Sequence, residues 1–302
     1  MKRFNSIVFS LTALCAFATS VHANILVNDT WADGDRTSGT PGAGGDSPWY
    51  AAAATTATVP AAGDLRFTSA GNALGVTYFA PAGSPVTLGD GESLSVTWVF
   101  SPTTLAAANT SQGFNVAIAN SPAHASADGS TASQQQAYTG YAQFMNMSST
   151  LNAAAPFSLK EWVAAGAGSL LGTAGNWGAN GAAGTLASAG TTGAVGFSSG
   201  TTYTYVMTLL RSGTALNITS TLSGAGLNGT GSESISYTDA TPNGNSFSFD
   251  TFEFRSNASS QTAAQFDISL FKAEYFPVPE PCTFAVAGLG VLGLVMARRM
   301  RR

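Results

Sequence analysis

The chain of 302 residues is 44% hydrophobic and only 9% charged, with 34 glycines and a formal net charge of −4. Between Asn24 and Pro277, six basic side chains stand against fifteen acidic ones, a net −9, which excludes nucleic acid as a partner because phosphate binding runs on Lys and Arg. The two cysteines, Cys15 and Cys282, fall in terminal segments, so the body between them has no disulfide and depends on core burial.

At the start, Lys2 and Arg3 form a basic region and Ile7 to Ala18 an apolar one. Val21-His22-Ala23 follows as a small-residue cleavage site. Residues 1–23 therefore read as a signal peptide for the Sec export machinery, cut after Ala23. The apolar stretch is too short to span a membrane by itself.

The body, residues 24–277, alternates apolar and polar side chains in short segments bounded by Gly, Asn, Pro and Asp, the pattern of half-buried strands. Strands are predicted near Asn24–Trp31, Asp64–Phe67, Ala73–Phe79, Ser93–Phe100, Gly113–Ala119 and Tyr138–Met145. Five more fall near Thr202–Leu210, Leu216–Leu222, Ser232–Tyr237, Phe247–Arg255 and Gln265–Phe276. In Leu94–Phe100 every second residue is large and apolar, so Leu94, Val96, Trp98 and Phe100 share a face. Phe247, Phe249, Phe252 and Phe254 show the same pattern with a one-residue slip, as a bulge would give. Two stretches break the rhythm. Thr37 to Ala62 reads as a surface excursion around Trp49-Tyr50. Met147 to Gly200 reads as Gly/Ala-rich sequence with one helical turn at Phe157–Val163 and a strand near Ala194–Phe197. No fixed-period repeat occurs, which removes propellers and solenoids. The expected fold class is all-β, a two-sheet jelly-roll sandwich with a separate C-terminal transmembrane helix.

Several short motifs give the body a loose resemblance to concanavalin A-like (LamG-like) sandwiches: the opening Asp29–Arg36, Tyr138-Thr139-Gly140-Tyr141, Phe249–Phe252 and the closing Phe266–Leu270. That resemblance implies a fold and not a function. Glycosidases on such folds need two carboxylates on one face. The Glu-x-Asp-x-Glu pattern is absent, and Asp250 and Glu253, three apart, are expected on opposite faces of a strand as solvent-facing acids between core phenylalanines. His124, in a polar loop, reads as solvated, with no Gly-x-Ser-x-Gly elbow to supply a nucleophile. No catalytic residue is assigned.

Asp29, Asp33 and Asp35 in a Gly-containing turn are the candidate ligands of a structural calcium, joined by Asp267 if the terminal strands pair; a plain Asx turn is the alternative. No other cofactor is implied. Trp49, Tyr50, Trp162 and Trp177, in the loop-like stretches, are the candidate sugar-stacking aromatics. Trp31 and Trp98 read as core.

The chain ends in Pro279-Glu280-Pro281, an uncharged apolar run from Cys282 to Ala297, and the basic end Arg298, Arg299, Arg301 and Arg302. Prolines stop the preceding strand, and the arginines hold the end in the cytoplasm. At ~1.5 Å per residue the run covers ~24 Å of a ~30 Å hydrocarbon core, a short span that suits a transiently held segment. Residues 278–302 resemble the PEP-CTERM sorting domain of Gram-negative bacteria, with Cys282 where the family more often has Ser or Ala. That resemblance implies an exosortase as partner, a membrane-anchored intermediate, and delivery to the cell surface or extracellular polysaccharide. Together these readings predict a non-enzymatic exported protein with a structural or adhesive role. A carbohydrate-binding module and a degenerate glycosidase are the alternatives.

Overall fold

The computed structural model describes residues 22–129, 138–162, 183–257 and 262–278. Residues Ala23–Val278 form one compact unit. The predicted signal peptide up to residue 21 and everything from Pro279 onward, including the sorting triplet, the apolar run and the arginines, lie outside the described residues. Among the described residues no helix is long and apolar enough to cross a membrane.

Among the described residues seventeen strands, numbered in chain order, build two large antiparallel sheets and one small pair. The eight-stranded sheet runs β14 (Ser232–Asp239), β13 (Ala215–Ser223), β12 (Tyr203–Ser212), β7 (Ser93–Leu105), β17 (Ala263–Phe276), β4 (Asp64–Thr68) and β3 (Thr56–Ala61). Its eighth member, β1 (Asn24–Asp29), pairs with the second half of β17, whereas β4 pairs with the first half. The seven-stranded sheet runs β11 (Ala183–Ala189), β10 (Phe157–Trp162), β9 (Thr139–Met145), β8 (Phe114–Asn120), β16 (Thr251–Ser256), β5 (Leu74–Tyr78) and β2 (Trp49–Ala51). β6 (Val86–Thr87) and β15 (Ser248–Phe249) make the small pair. The chain is thus all-β, a sandwich of two antiparallel sheets.

Each of the eleven segments expected from alternation contains a strand. The slip expected within Phe247–Phe254 is a real break: β15 pairs with β6, Asp250 leaves the ladder, and β16 joins the seven-stranded sheet, which lets all four phenylalanines reach one core. Two expectations are corrected. The Thr37–Ala62 excursion contains β2 and β3, and the helical turn expected at Phe157–Val163 is the strand β10, paired on both sides. Near Ala194–Phe197 only a single bridge forms, Thr150 with Val195.

The core lies between the sheets and is rich in rings. Trp49 is its hub: its indole lies 5.3 Å from the Phe271 ring at 87°, 5.8 Å from Phe67 and Phe252, and 6.0 Å from Trp31. Edge-on pairs like these add roughly 0.5–1.5 kcal/mol each beyond area burial. Trp98 stacks on Phe100 at 4.2 Å and on Phe254 at 5.2 Å. This packing explains Gly75 in the middle of β5, where a Cβ would sit 2.5 Å from the Phe254 ring and 2.8 Å from Phe67.

The two outer faces differ. On the eight-stranded sheet, β14, β13, β12 and β7 present solvent-facing Ser and Thr with no charged side chain among them. Cross-strand hydroxyls pair there, as in Thr221 with Ser234 (3.1 Å) and Thr208 with Ser95 (3.3 Å). On the seven-stranded sheet the outer face is covered over its central strands. β5 and β16 are buried at every position and β8 at all but its last. Two apolar clusters separate from the main core line this sheet, one around Ala117, Ala142, Phe144, Tyr138 and Trp162, the other around Leu74, Val76, Tyr78 and Ala125.

Candidate functional site

The segment 121–129, which leaves the end of β8, is pinned along β5 and β2. Its anchor is Asp250, fully buried in the break between β15 and β16. Asp250 Oδ1 accepts from the Ser121 backbone N–H (2.8 Å) and the Thr251 hydroxyl (2.6 Å), and Oδ2 lies 3.2 Å from His124 Nε2. The imidazole stacks on the Tyr78 ring at 3.7 Å, with 8° between planes, and the Tyr78 hydroxyl accepts from the Ala125 N–H at 2.7 Å. Buried charge needs such partners, and here a carboxylate meets a ring nitrogen, a hydroxyl and an amide.

At its far end the segment is held by a second carboxylate. Asp128 accepts from the Ala51 N–H at 2.9 Å and takes the Arg36 guanidinium on both oxygens, at 3.1 and 2.5 Å. Arg36 also donates to the backbone oxygens of Trp49 (2.6 Å) and Ala57 (3.1 Å), so its planar fork is fixed by four contacts. The Asp128 side chain keeps 44% of its surface exposed. Tyr50, between Trp49 and Ala51 on β2, faces outward and is half-buried, with its ring 6.2 Å from Tyr78. Burial, then the Asp128 charge, pushes its hydroxyl above the ordinary tyrosine value, against a smaller opposite pull from Arg36. The result is an accessible aromatic ring with a protonated hydroxyl, beside a fixed carboxylate–guanidinium pair. Such a set can stack on an apolar ring face and exchange hydrogen bonds with hydroxyls.

Of the four aromatics expected to stack on sugars, only Tyr50 holds such a position among the described residues. Trp49 and Trp162 are fully buried, Trp49 at the core hub and Trp162 against Tyr138 at 4.5 Å. They are corrected for one reason: strands β2 and β10 occupy what composition marks as loop. Trp177 lies outside the described residues. His124 is not solvated, since its imidazole is held between Tyr78 and Asp250. Asp250 and Glu253 are not solvent-facing; both are fully buried.

The four aspartates named for calcium do not assemble. Asp33 accepts from the Asp35 N–H and the Ser38 hydroxyl, and Asp35 accepts from the Thr37 N–H and hydroxyl, which hold its carboxyl below the usual range. These are Asx-turn bonds. The terminal strands do pair, but the register places Asp29 opposite Phe271, while Asp267 sits opposite Arg66 and binds its guanidinium at 2.6 Å. Among the described residues no three His, Cys, Asp or Glu side chains gather closely enough for a metal ion. Asp29 is left buried, with one oxygen on the Trp31 N–H at 2.9 Å and the other without a hydrogen-bond partner. Burial first, then nearby Asp46 and Asp33, raises its pKa to about 7.

Sequence reasoning missed Arg36, Asp128 and His124. Arg36 and Asp128 stand 92 positions apart, so no local spacing joins them. The one local signal is Asp128-Gly129, a turn pair closing a polar segment.

No family model matches the chain, and no curated protein matches it. Among solved structures it is similar to lectin I from Ulex europaeus in complex with a methyl glycoside of α-L-fucose, at 11% identity and TM-score 0.46, covering 82% of this chain and 97% of that one. It is also similar to peanut lectin with a nine-residue peptide (11%, TM-score 0.43, 82% and 95%). A third is winged bean acidic lectin with methyl-α-D-galactose (10%, TM-score 0.42, 76% and 99%). Likeness at this level transfers no ligand, residue role or activity to this chain.

Proposed function

We propose that this protein is an exported, non-catalytic β-sandwich that binds carbohydrate at the surface of a Gram-negative cell or in its extracellular polysaccharide. The observation that carries this reading is the partly exposed Tyr50 ring beside the fixed Arg36–Asp128 pair. The net −9 of the body favours neutral glycans over acidic ones. The non-catalytic reading is supported by the burial of Asp250 and Glu253, the two acids weighed as a glycosidase pair. A second reading, a matrix component that adheres through broad contact, is favoured by the uncharged Ser/Thr face of the eight-stranded sheet.

Delivery belongs to the same proposal. The Sec machinery takes the chain out, cleavage after Ala23 frees it, and Pro279-Glu280-Pro281 with the apolar run and basic end is presented to an exosortase. Two experiments test the two halves. On a glycan array, Tyr50→Ala and Asp128→Ala are each expected to weaken binding about tenfold or more; Asp128→Ala, which also frees the Arg36 guanidinium and the Ala51 N–H, is expected to lower thermal stability as well, and Tyr50→Ala to lower it less. Undiminished binding by both variants, or no binding by the parent, overturns the ligand reading. Mass spectrometry of the surface-exposed protein is expected to find a C-terminus lacking Arg302, and alanine at Pro279, Glu280 and Pro281 is expected to block delivery.

A further inference from the structure

A hollow of about 420 Å³ lies at one end of the eight-stranded sheet, where β3 and β17 begin and β4 and β7 end. Leu65 and Phe67 on β4 are buried in the core, so Thr68 faces outward. Its partner on β3 is Thr56 and its partner on β17 is Gln265. Thr104, near the end of β7, completes the polar wall, and among the described residues no charged side chain lines it. The floor is stitched by Ser69. Its N–H donates to Ala264 O at 3.1 Å. Its hydroxyl lies 3.1 Å from Ala54 O and 3.0 Å from Asn72 O, and accepts from the Gly71 N–H at 3.1 Å. Gln265 Nε2 donates to both Asp267 oxygens, at 3.0 and 2.9 Å, which fixes the amide and leaves its carbonyl oxygen as an acceptor. The hydroxyls of Thr56, Thr68 and Thr104 have no hydrogen-bond partner among the described residues, so each can give and take a bond.

Thr104 carries the second observation. Its φ is +55°, in the left-handed region that a β-branched residue avoids. Among the described residues seventeen glycines take positive φ, and only Trp31, Thr104 and Asn228 do so with a side chain. Thr103 and Leu105, on either side, pair with Gln265 and Ala263, and the Thr104 N–H meets Ser199 Oγ at 3.0 Å. A glycine would keep all of these bonds without strain. What threonine adds in return for the strain is a hydroxyl on the rim of the hollow.

We propose that this hollow is a second binding site, for a neutral hydroxyl-rich ligand, and that with Tyr50 it lets one molecule bridge two glycan chains. The bridging rests on the carbohydrate reading of Tyr50; the hollow stands on its own walls. Its volume falls within the ~300–1,000 Å³ of small-ligand sites. Hydroxyls and an amide oxygen, with no cation to hold a phosphate or carboxylate, match sugar hydroxyls. Trp49 is in the core, so Tyr50 faces out of the seven-stranded sheet, whereas Thr68 faces out of the eight-stranded one. Two sheets ~10 Å apart separate the sites. A stiff glycan chain cannot lie on both faces at once, so each face takes its own chain. Linking two sites in this way raises avidity without any new contact.

The test is calorimetric titration of the exported protein with laminarihexaose, cellohexaose and maltohexaose, on the parent, Tyr50→Ala, Thr104→Gly and the double variant. The parent is expected to take up two equivalents of one of these probes, each single variant one, and the double variant none. Thr104→Gly is also expected to melt about 2 °C higher, because strain is relieved as the site is lost. Thr68→Val, which removes a hydroxyl and keeps the shape, is expected to weaken the same site about tenfold. The parent is expected to precipitate the long-chain polymer of the bound probe, and neither single variant to do so. One equivalent in the parent, lost in Tyr50→Ala and kept in Thr104→Gly and Thr68→Val, overturns the second site and leaves the Tyr50 reading standing. One equivalent lost in Thr104→Gly and kept in Tyr50→Ala upholds the hollow and overturns the Tyr50 reading and the bridge. No uptake of any probe by the parent overturns both.

Discussion

The outer faces of the two sheets hold opposite chemistry. β12 and β13 alternate buried and solvent-facing residues almost without exception, and the outward set is mostly Ser, Thr and Asn, with Val206, Leu210 and Ala215 among them and no charge. β8 and β16, in the opposite sheet, are buried on both faces, and β16 keeps Glu253 and Arg255 among its buried residues. Period-two alternation marks one wet face and one dry face; it vanishes when both are dry. The open face tells a reader where strands are. The covered face holds the groups that are costly to bury.

That contrast is testable by placing charge on each face. Ala142→Asp sets an unpaired carboxylate on the covered face of β9 and is expected to cost at least about 4 kcal/mol in denaturant unfolding, or to prevent folding outright. A loss below ~1 kcal/mol would mean that this face is wet. Asp29→Asn tests a different buried acid and should act in the opposite direction. Because its folded pKa of about 7 lies above the ordinary 3.8, Asp29 weakens the fold increasingly as pH climbs from the lower value to the higher, with no further change beyond. The asparagine variant is expected to match the parent near pH 4 and to exceed it by up to about 4 kcal/mol at pH 8. Thermal melts across that range would check the slope, and a constant offset would overturn the assignment. On the open face, Thr219→Lys is expected to change stability by less than about 0.5 kcal/mol.

How much was legible follows from the same contrast. Leu94–Phe100 and Leu216–Leu222 state their strands outright, because each has one face in water. The Phe247–Phe254 slip is visible because four aromatics mark the core side on both sides of the break. Phe157–Trp162 is misread as a helical turn because Ser158, Lys160 and Glu161 give no clean alternation; pairing on both flanks imposes the strand. Trp49 looks like a loop residue because Gly, Ala, Thr and Pro surround it, yet a three-residue strand suffices to place it at the centre of the core. Tyr50 was within reach, being next to it and necessarily facing the other way. Arg36, Asp128 and His124 were not: each meets a partner at least 92 residues away.

The long strand β17 has a mechanical consequence. β7 runs along one side of it for nearly its whole length, and β4 and β1 share the other side end to end. A load entering at Phe276 is directed along this strand and must slide it past both flanks, so many backbone bonds resist together. Asn24 sits opposite Tyr275, and forcing those two apart would instead unpick β1 like a zip, one pair after another. A protein hung by its C-terminal end is therefore gripped in its strong direction, while its N-terminal strand peels at low force.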